Sequence, residues 1–275
     1  MNGYYPFPDF NEHLTWKANK LEMTLLQGVL IFGAAAVGSA INSVAGGGTL
    51  ITFPALIAVG LNPLRANATS TAAIWPGALA GTWGYRRELR KVEKRFLWLL
   101  IPGLIGSVIG ATLLKLTPPA TFAIIVPYLI LFATVLFMLN EPVQRWLRSP
   151  HKEHVITTRW LIFAGSLQFV TGLYGGYFGA GIGIMMLATL GLIGMTDIYE
   201  MQGLKSFLGT IINLTAAIYF MFSGLVHWPE AMVMTVGSVV GGYGGADVAR
   251  RVGAKLVRRA VILIGFALAI SLFFN

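Results

Sequence analysis

Lys205 opens an otherwise apolar run, Ser206–Val226, with no acid on the following turns to pair with it; Glu200 is the nearest carboxylate in the sequence. An unpartnered ammonium group costs about 2.5–3.5 kcal/mol at the centre of a membrane helix, so this one must snorkel to water, pair with Glu200 or meet an anion. Its neighbours are hydrogen-bond donors. Ser206 follows directly, Asn213 lies two turns on, and the stretch Arg65–Thr71 carries a comparable set in Asn67, Thr69 and Ser70. Each of these alone also serves as an ordinary helix-to-helix hydrogen bond. Two glycine clusters complete the group: Gly46, Gly47 and Gly48, between Asn42 and Thr49, and Gly179, Gly181 and Gly183. Helices unwind most easily at glycine runs, and a helix that restarts after such a break presents free N–H groups and its positive dipole end, a ready oxyanion site. Single glycines equally permit close helix packing, but duplication at matching positions favours a functional break.

Other chemistry lacks residues to carry it. No GxSxG, HExxH or P-loop pattern occurs, so an enzyme is not expected. The chain has no cysteine, which removes disulfides, thiolate metal sites and cysteine nucleophiles. His151 and His154, with Glu141 and Glu153 nearby, lie in a basic linker and lack the density of a metal-ligand set, so a solvated loop is expected there and no cofactor.

The elements that must position the donor set follow from composition. The 275 residues are 56% hydrophobic and only 11% charged, with a net charge of +9 and a mean hydropathy of +0.71. That leaves too little polar surface for a soluble domain, which carries about 25% charged residues. Uncharged runs cover Met23–Leu64, Ala66–Tyr85, Phe96–Leu114, Leu116–Asn140, Trp160–Thr196, Ser206–Val226, Ala231–Ala246 and Ala260–Asn275. About 20 apolar residues span a bilayer as a helix, so these runs predict an all-α polytopic membrane protein. The basic residues lie in short loops and read as orientation signals, which excludes nucleic acid as a partner.

The runs of 42 residues from Met23 and 37 from Trp160 are too long for one helix and must break at their glycine clusters. Ten elements result, at about 21–45, 49–60, 66–85, 96–116, 121–139, 159–178, 182–194, 203–223, 229–247 and 257–274. They divide into an interfacial segment 1–20, a first repeat 21–139, a basic cytoplasmic linker 140–158 and a second repeat 159–275. The glycine breaks match at an offset of 133, Ser70 and Ser206 at 136, and Gly110-Ala111 and Gly245-Ala246 at 135. Charge placement points the same way: Arg86–Arg95 is strongly basic while its counterpart Ser223–Pro229 carries no Lys or Arg, and Arg250–Arg259 is basic while Thr117–Ala120 is not. Under the positive-inside rule the charge has moved by one loop between halves, which predicts two inverted repeats of about five elements each, with glycine-broken helices near the midplane. Parity then puts both basic loops and the linker inside and both termini outside, provided that 182–194 counts as a crossing. The aromatic residues Trp75, Trp83, Trp98, Trp160 and Trp228 fall mostly near segment ends and fit interfacial belts.

Specific motifs carry a family resemblance. Gly38-Ser-Ala-Ile-Asn42, Gly46-Gly-Gly-Thr-Leu-Ile-Thr-Phe-Pro54, Gly60-Leu-Asn-Pro63, Ala66-Asn-Ala-Thr-Ser70 and Gly81-Thr-Trp-Gly-Tyr-Arg86-Arg resemble the sulfite exporter TauE/SafE family of membrane permeases. The second half is similar through Gly176-x-x-Gly179-x-Gly181-x-Gly183, Gly203-Leu-Lys205-Ser206 and Gly224-x-Val226-x-Trp228. The resemblance implies movement of sulfite or organosulfonates such as sulfoacetate across the bacterial cytoplasmic membrane, coupled to an ion gradient with protons or sodium as candidate ions. The expected partners are thus a small anion and the lipid bilayer; no residue pattern specifies an oligomeric state. Alternatives are a carrier or channel for another small anion, and a membrane assembly protein without flux.

Overall fold

A computed structural model describes residues 23–148, 158–195, 197–252 and 254–274. The helices are α1 (Leu25–Ala45), α2 (Thr49–Ala58), α3 (Pro63–Gly84), α4 (Arg86–Leu89), α5 (Leu100–Leu116), α6 (Pro119–Arg148), α7 (Thr158–Tyr177), α8 (Ile182–Leu192), α9 (Ile198–Ser223), α10 (Trp228–Val252) and α11 (Ala254–Phe274), and a 3-10 helix, Lys94–Leu99, leads into α5. No strand occurs among the described residues. Leu25–Asn42, Lys94–Leu116, Pro119–Val143 and Ile198–Ser223 are long and apolar enough to cross a membrane. Large apolar side chains such as Leu25, Ile101, Ile124, Phe222, Met232 and Phe274 point outward, a surface suited to lipid and not to water. The chain is an all-α, multi-pass membrane protein.

Helix ends explain much of the element pattern. Thr24 caps α1 in a reciprocal box with Gln27, its hydroxyl accepting the Gln27 N–H at 3.3 Å while the Gln27 amide oxygen accepts the Thr24 N–H at 3.0 Å. Asn62 caps α3 ahead of Pro63, and Asp197 caps α9 by accepting the N–H groups of Tyr199 and Glu200. That aspartate starts α9 five residues before the expected 203. The uncharged-run rule also ended the fifth element too early: α6 continues to Arg148, supported by an i,i+4 contact of 3.2 Å between Arg145 and Glu141. The expected loop Arg250–Arg259 is mostly helix as well, since α10 runs to Val252 and α11 starts at Ala254. The short helix α4 inside the basic stretch was not anticipated. The interfacial segment 1–20, His151, Glu153 and His154 lie outside the described residues.

Packing fixes the running directions. The Phe32 and Ala36 carbonyls of α1 lie over Gly237 and Gly241 of α10, so these two helices are parallel. The Phe169 and Leu173 carbonyls of α7 lie over Gly106 and Gly110 of α5 in the same manner. A Cβ at any of these glycines would collide with the facing carbonyl, so close approach requires glycine. On α5 and α9, Ser107 Oγ donates to the Ile212 carbonyl at 2.8 Å, while further along Lys115 lies over the Tyr219 ring, so α9 runs parallel to both α5 and α7. Chain reversals occur at both glycine breaks. A Cβ on Gly38 would meet Thr52 at 2.9 Å, folding α2 back along α1. Likewise α8 runs against α9, with Ile182 near Ile212 and Met186 near Gly209, and so turns back along α7. Each pair is a hairpin that returns to its side of entry. Neither 159–178 nor 182–194 is therefore the separate crossing expected of it; because the two return together the parity is unchanged, and Leu25 and Phe274 lie on the side opposite Arg86–Arg95. The latter is called the inner side below.

Proline in α3 shows how membrane-depth backbone is satisfied. Pro76 breaks the hydrogen-bond ladder, and Ser238 of α10 fills the gap, its Oγ accepting the Gly77 N–H at 3.0 Å and donating to the Ile74 carbonyl at 3.4 Å. Trp98 does not sit in an interfacial belt by its indole nitrogen: the Nε1 is buried without a partner and the ring packs over Gly165.

Candidate functional site

The two breaks meet. Helix α1 ends at Gly46, which has φ +78°, and its carbonyl accepts the Gly181 N–H at 3.1 Å. A Cβ on Gly46 would lie 2.9 Å from the Gly183 Cα, so the two chain segments touch backbone to backbone. Gly179 and Gly181 are both at φ +82°, which lets α7 end and α8 begin within a few residues. Gly47 is held under the Phe137 ring, and Leu136, from the same helix α6, lies beside Gly181. Thus α6 passes across both breaks.

Neither restarting helix has a side-chain cap. Gly48 precedes α2 and Gly181 precedes α8, and no side chain bonds the first-turn N–H groups of either, in contrast to the capped starts of α1, α3 and α9. Thr49, first residue of α2, is buried, and Asn42 spends its backbone carbonyl on the Gly46 N–H at 3.1 Å.

The polar cluster of α3 is largely committed. Asn67 Nδ2 donates to the Tyr177 carbonyl at the end of α7 at 2.9 Å, leaving its Oδ1 buried and unpartnered. Ser70 and Thr52 share a hydroxyl pair at 2.6 Å, and the Thr52 hydroxyl also donates to the Gly48 carbonyl at 3.3 Å. Thr69 accepts the His227 backbone N–H at 2.9 Å. These residues brace the first break from the outer side.

Lys205 takes a different position. It is 3% exposed, and its Nζ has no hydrogen-bond partner among the described residues. Met201, Lys205, Leu208 and Ile212 recur at helical spacing along α9, and the apolar members of this stripe pack with Ile182, Met186 and Leu190 of α8. The ammonium therefore replaces an apolar residue on the face turned to α8, between Gly203, which abuts α4, and Gly209, which faces Met186. Ser206 is half-buried beside it. Asn213, higher on α9, donates to the Gly209 carbonyl at 2.9 Å and places its Oδ1 3.8 Å from where a Gly179 Cβ would stand. So the breaks, Asn42, Thr49, Asn67 and Asn213 converge, Thr69 and Ser70 lie toward the outer side, and Lys205 and Ser206 toward the inner side.

Sequence reasoning passed over several polar groups. Thr52 sits in an apolar run and acquires meaning only through Ser70. Gln168, 1% exposed, and Gln202 each leave one buried amide atom unpartnered. His227 and Glu230, i and i+3 at the start of α10, are in direct side-chain contact; that spacing was the available signal.

The model of the family described as "Sulfite exporter TauE/SafE" matches residues 30–272. The chain is similar to a "Probable membrane transporter protein" of Haemophilus influenzae, 30% identical and aligned over 90% of this chain and 94% of the relative. It is also similar to the "Probable membrane transporter protein YfcA" of Escherichia coli K12, 27% identical with 91% of each chain covered, and to YunE of Bacillus subtilis, 26% identical over 84% of this chain and 92% of the relative. No solved structure matches.

Proposed function

Because the chain belongs to the sulfite exporter TauE/SafE family, we propose that it is a secondary transporter moving sulfite or organosulfonates such as sulfoacetate across the bacterial cytoplasmic membrane. The observation that carries the reading is the meeting of two uncapped helix starts at the joined breaks, Gly46 against Gly181. Sulfite and sulfonates present several acceptor oxygens and negative charge. The donors for such an anion are the first-turn N–H groups of α2 and α8 other than those of Leu50, Ile51, Thr52 and Ile184, which bond the Gly47, Gly48 and Gly181 carbonyls. The Asn42 amide joins them, with the second N–H of the Asn67 and Asn213 amides, whose first N–H bonds the Tyr177 and Gly209 carbonyls; Lys205 adds a positive charge farther toward the inner side. An unpartnered ammonium facing α8 is the group a travelling anion neutralises; its position toward the inner side makes it a docking point on one arm of the path.

Alternating access supplies the mechanism. Two inverted repeats rock about the joined breaks, exposing the site first on one side and then on the other, with the cycle driven by an ion gradient. Support comes from the packing: the contact of the Ala36 carbonyl with Gly241 recurs as that of the Phe169 carbonyl with Gly106, at offsets of 133 and 135 residues, and the equivalent helices run in opposite directions. These are the offsets carried by the sequence matches.

Flux of labelled sulfite and sulfoacetate into proteoliposomes tests the reading, with Lys205→Met and chloride competition run in parallel. The expected result is saturable flux, abolished in the variant and indifferent to chloride. Fast unsaturable flux without uphill movement would make the protein a channel, and absence of flux with folded protein would remove the sulfur-anion reading.

A further inference from the structure

A titratable pair closes the outer end of α3. Gly224, at φ +75°, ends α9, and three residues later His227 turns the chain into α10. The His227 Nδ1 is in direct contact with Glu230 Oε2 in the first turn of α10. Glu230 is buried, 8% exposed, while the imidazole keeps 28% of its surface open to the outside. The His227 amide is bonded to Thr69, and the next residue, Ser70, leads through Thr52 to the carbonyl of Gly48, the last residue before α2. A single run of hydrogen bonds and one peptide link thus joins the pair to the first break.

Its location is distinctive. Among the described residues, Glu88, Glu93, Glu141, Asp197 and Glu200 lie at the inner side, as does the α10 position of Asp247, so Glu230 is the acid of the outer side and His227 the imidazole. The other charged groups on elements packed around this corner are Arg65, one turn before Thr69 on α3, and Lys115, on the last turn of α5, which lies over Tyr219 of α9. α1 and α2 carry no charged residue, α9 none after Lys205, and α10 none from Ala231 through Gly245. A carboxylate alone could take sodium, but one engaged by an imidazole is already arranged to share a proton.

Resting on the transport reading above, we propose that His227 and Glu230 form the site where the coupling proton enters from the outer side. With one proton shared, the contact holds the α9–α10 turn against Thr69 and so braces the first break. A second proton, taken from the outer solution onto the Glu230 carboxylate, converts the pair to imidazolium and neutral carboxyl, weakening that contact and releasing the turn. The same proton leaves after the repeats rock, and no bond in the substrate is made or broken. A plain helix-capping acid would give the same contact; it would not make transport depend on the proton.

Proteoliposomes distinguish these roles. Labelled sulfite is measured in two modes, exchange at equal pH on both sides and accumulation under an imposed pH gradient, for wild type, Glu230→Gln, His227→Gln and Glu230→Asp. One unit of pH gradient coupled to one proton in electroneutral movement sustains about a tenfold accumulation. Wild type and Glu230→Asp should accumulate, whereas the two glutamine variants should exchange normally and accumulate nothing. Accumulation retained in the glutamine variants, a wild type indifferent to the pH gradient, or loss of exchange in every variant overturns the inference while leaving transport standing. A wild type that moves no sulfite or sulfonate in either mode overturns both readings.

Discussion

The Gly181 amide donates to the Gly46 carbonyl across 3.1 Å, so the backbone of one half of the chain is bonded to that of the other at the point where each half interrupts a helix. Lipid could not satisfy either segment. Their mutual bond accounts for one donor and one acceptor; at the starts of α2 and α8, the Leu50, Ile51 and Ile184 N–H groups bond the Gly47, Gly48 and Gly181 carbonyls, and no side chain caps either helix.

Gly46→Ala should therefore cost stability twice, once for a left-handed backbone and once for the approach of the new Cβ to Gly183 at 2.9 Å. The backbone term alone is about 1–2 kcal/mol. Gly60→Ala carries that term too, at φ +98°, but has open space around its Cβ. Thermal unfolding in detergent should drop further for Gly46→Ala, and flux should be lost only there. Equal losses in the two variants would count against the contact.

The glycine stripes make a second prediction, about the two repeats proposed above. Gly106→Val and Gly241→Val drive side chains into the Phe169 and Ala36 carbonyls at equivalent places. Both should lower the yield of folded protein to a similar extent, by about 1–3 kcal/mol or more of overpacking. Gly33→Val, with nothing within 4 Å, should be silent. A large difference between the first two would separate the interfaces energetically.

Lys205→Met should raise stability while abolishing transport. The ammonium is buried without a partner, at a cost of about 2.5–3.5 kcal/mol at a helix centre, and methionine fits the apolar stripe of Met201, Leu208 and Ile212. An increased unfolding temperature together with lost sulfite flux is the expected pairing. A destabilised variant would mean that the amine is held by the fold instead of by a passing anion.

How far the sequence carried depended on the range of each interaction. The breaks were legible because glycine clusters act locally on φ and on helix continuity, and the run lengths demanded an interruption. Thr69 was visible as a hydroxyl in a polar cluster, but its partner, the His227 amide, lies 158 residues away and only the packing of α3 on α10 brings them together. Lys205 has no acid near it in the sequence to pair with; which face it occupies depends on α8, whose reversal the residues do not state. The ends of α6 and α10 were misplaced for a simpler reason. A criterion based on uncharged runs stops at Glu141 and at Asp247, although Arg, Lys and Glu are good helix formers and extend helices beyond the hydrocarbon.

The hydroxyl pair Thr52–Ser70 allows a graded test of how the first break is braced. Thr52 holds both Ser70, at 2.6 Å, and the Gly48 carbonyl, at 3.3 Å, whereas among these bonds Ser70 holds only Thr52. Ser70→Ala leaves Thr52 anchored to Gly48 and should cost about 1 kcal/mol, the net value of one hydrogen bond. Thr52→Val removes both bonds and strands the Ser70 hydroxyl, for about 1–3 kcal/mol. The double variant should then be more stable than Thr52→Val alone, since it also removes the hydroxyl that Thr52→Val strands. Unfolding measurements on the four proteins of this cycle give the coupling directly, and strict additivity would mean that the two hydroxyls do not act on each other. Because the serine is one peptide link from Thr69, sulfite flux in the same proteins should fall with Thr52→Val more than with Ser70→Ala, following the loss of the Gly48 anchor.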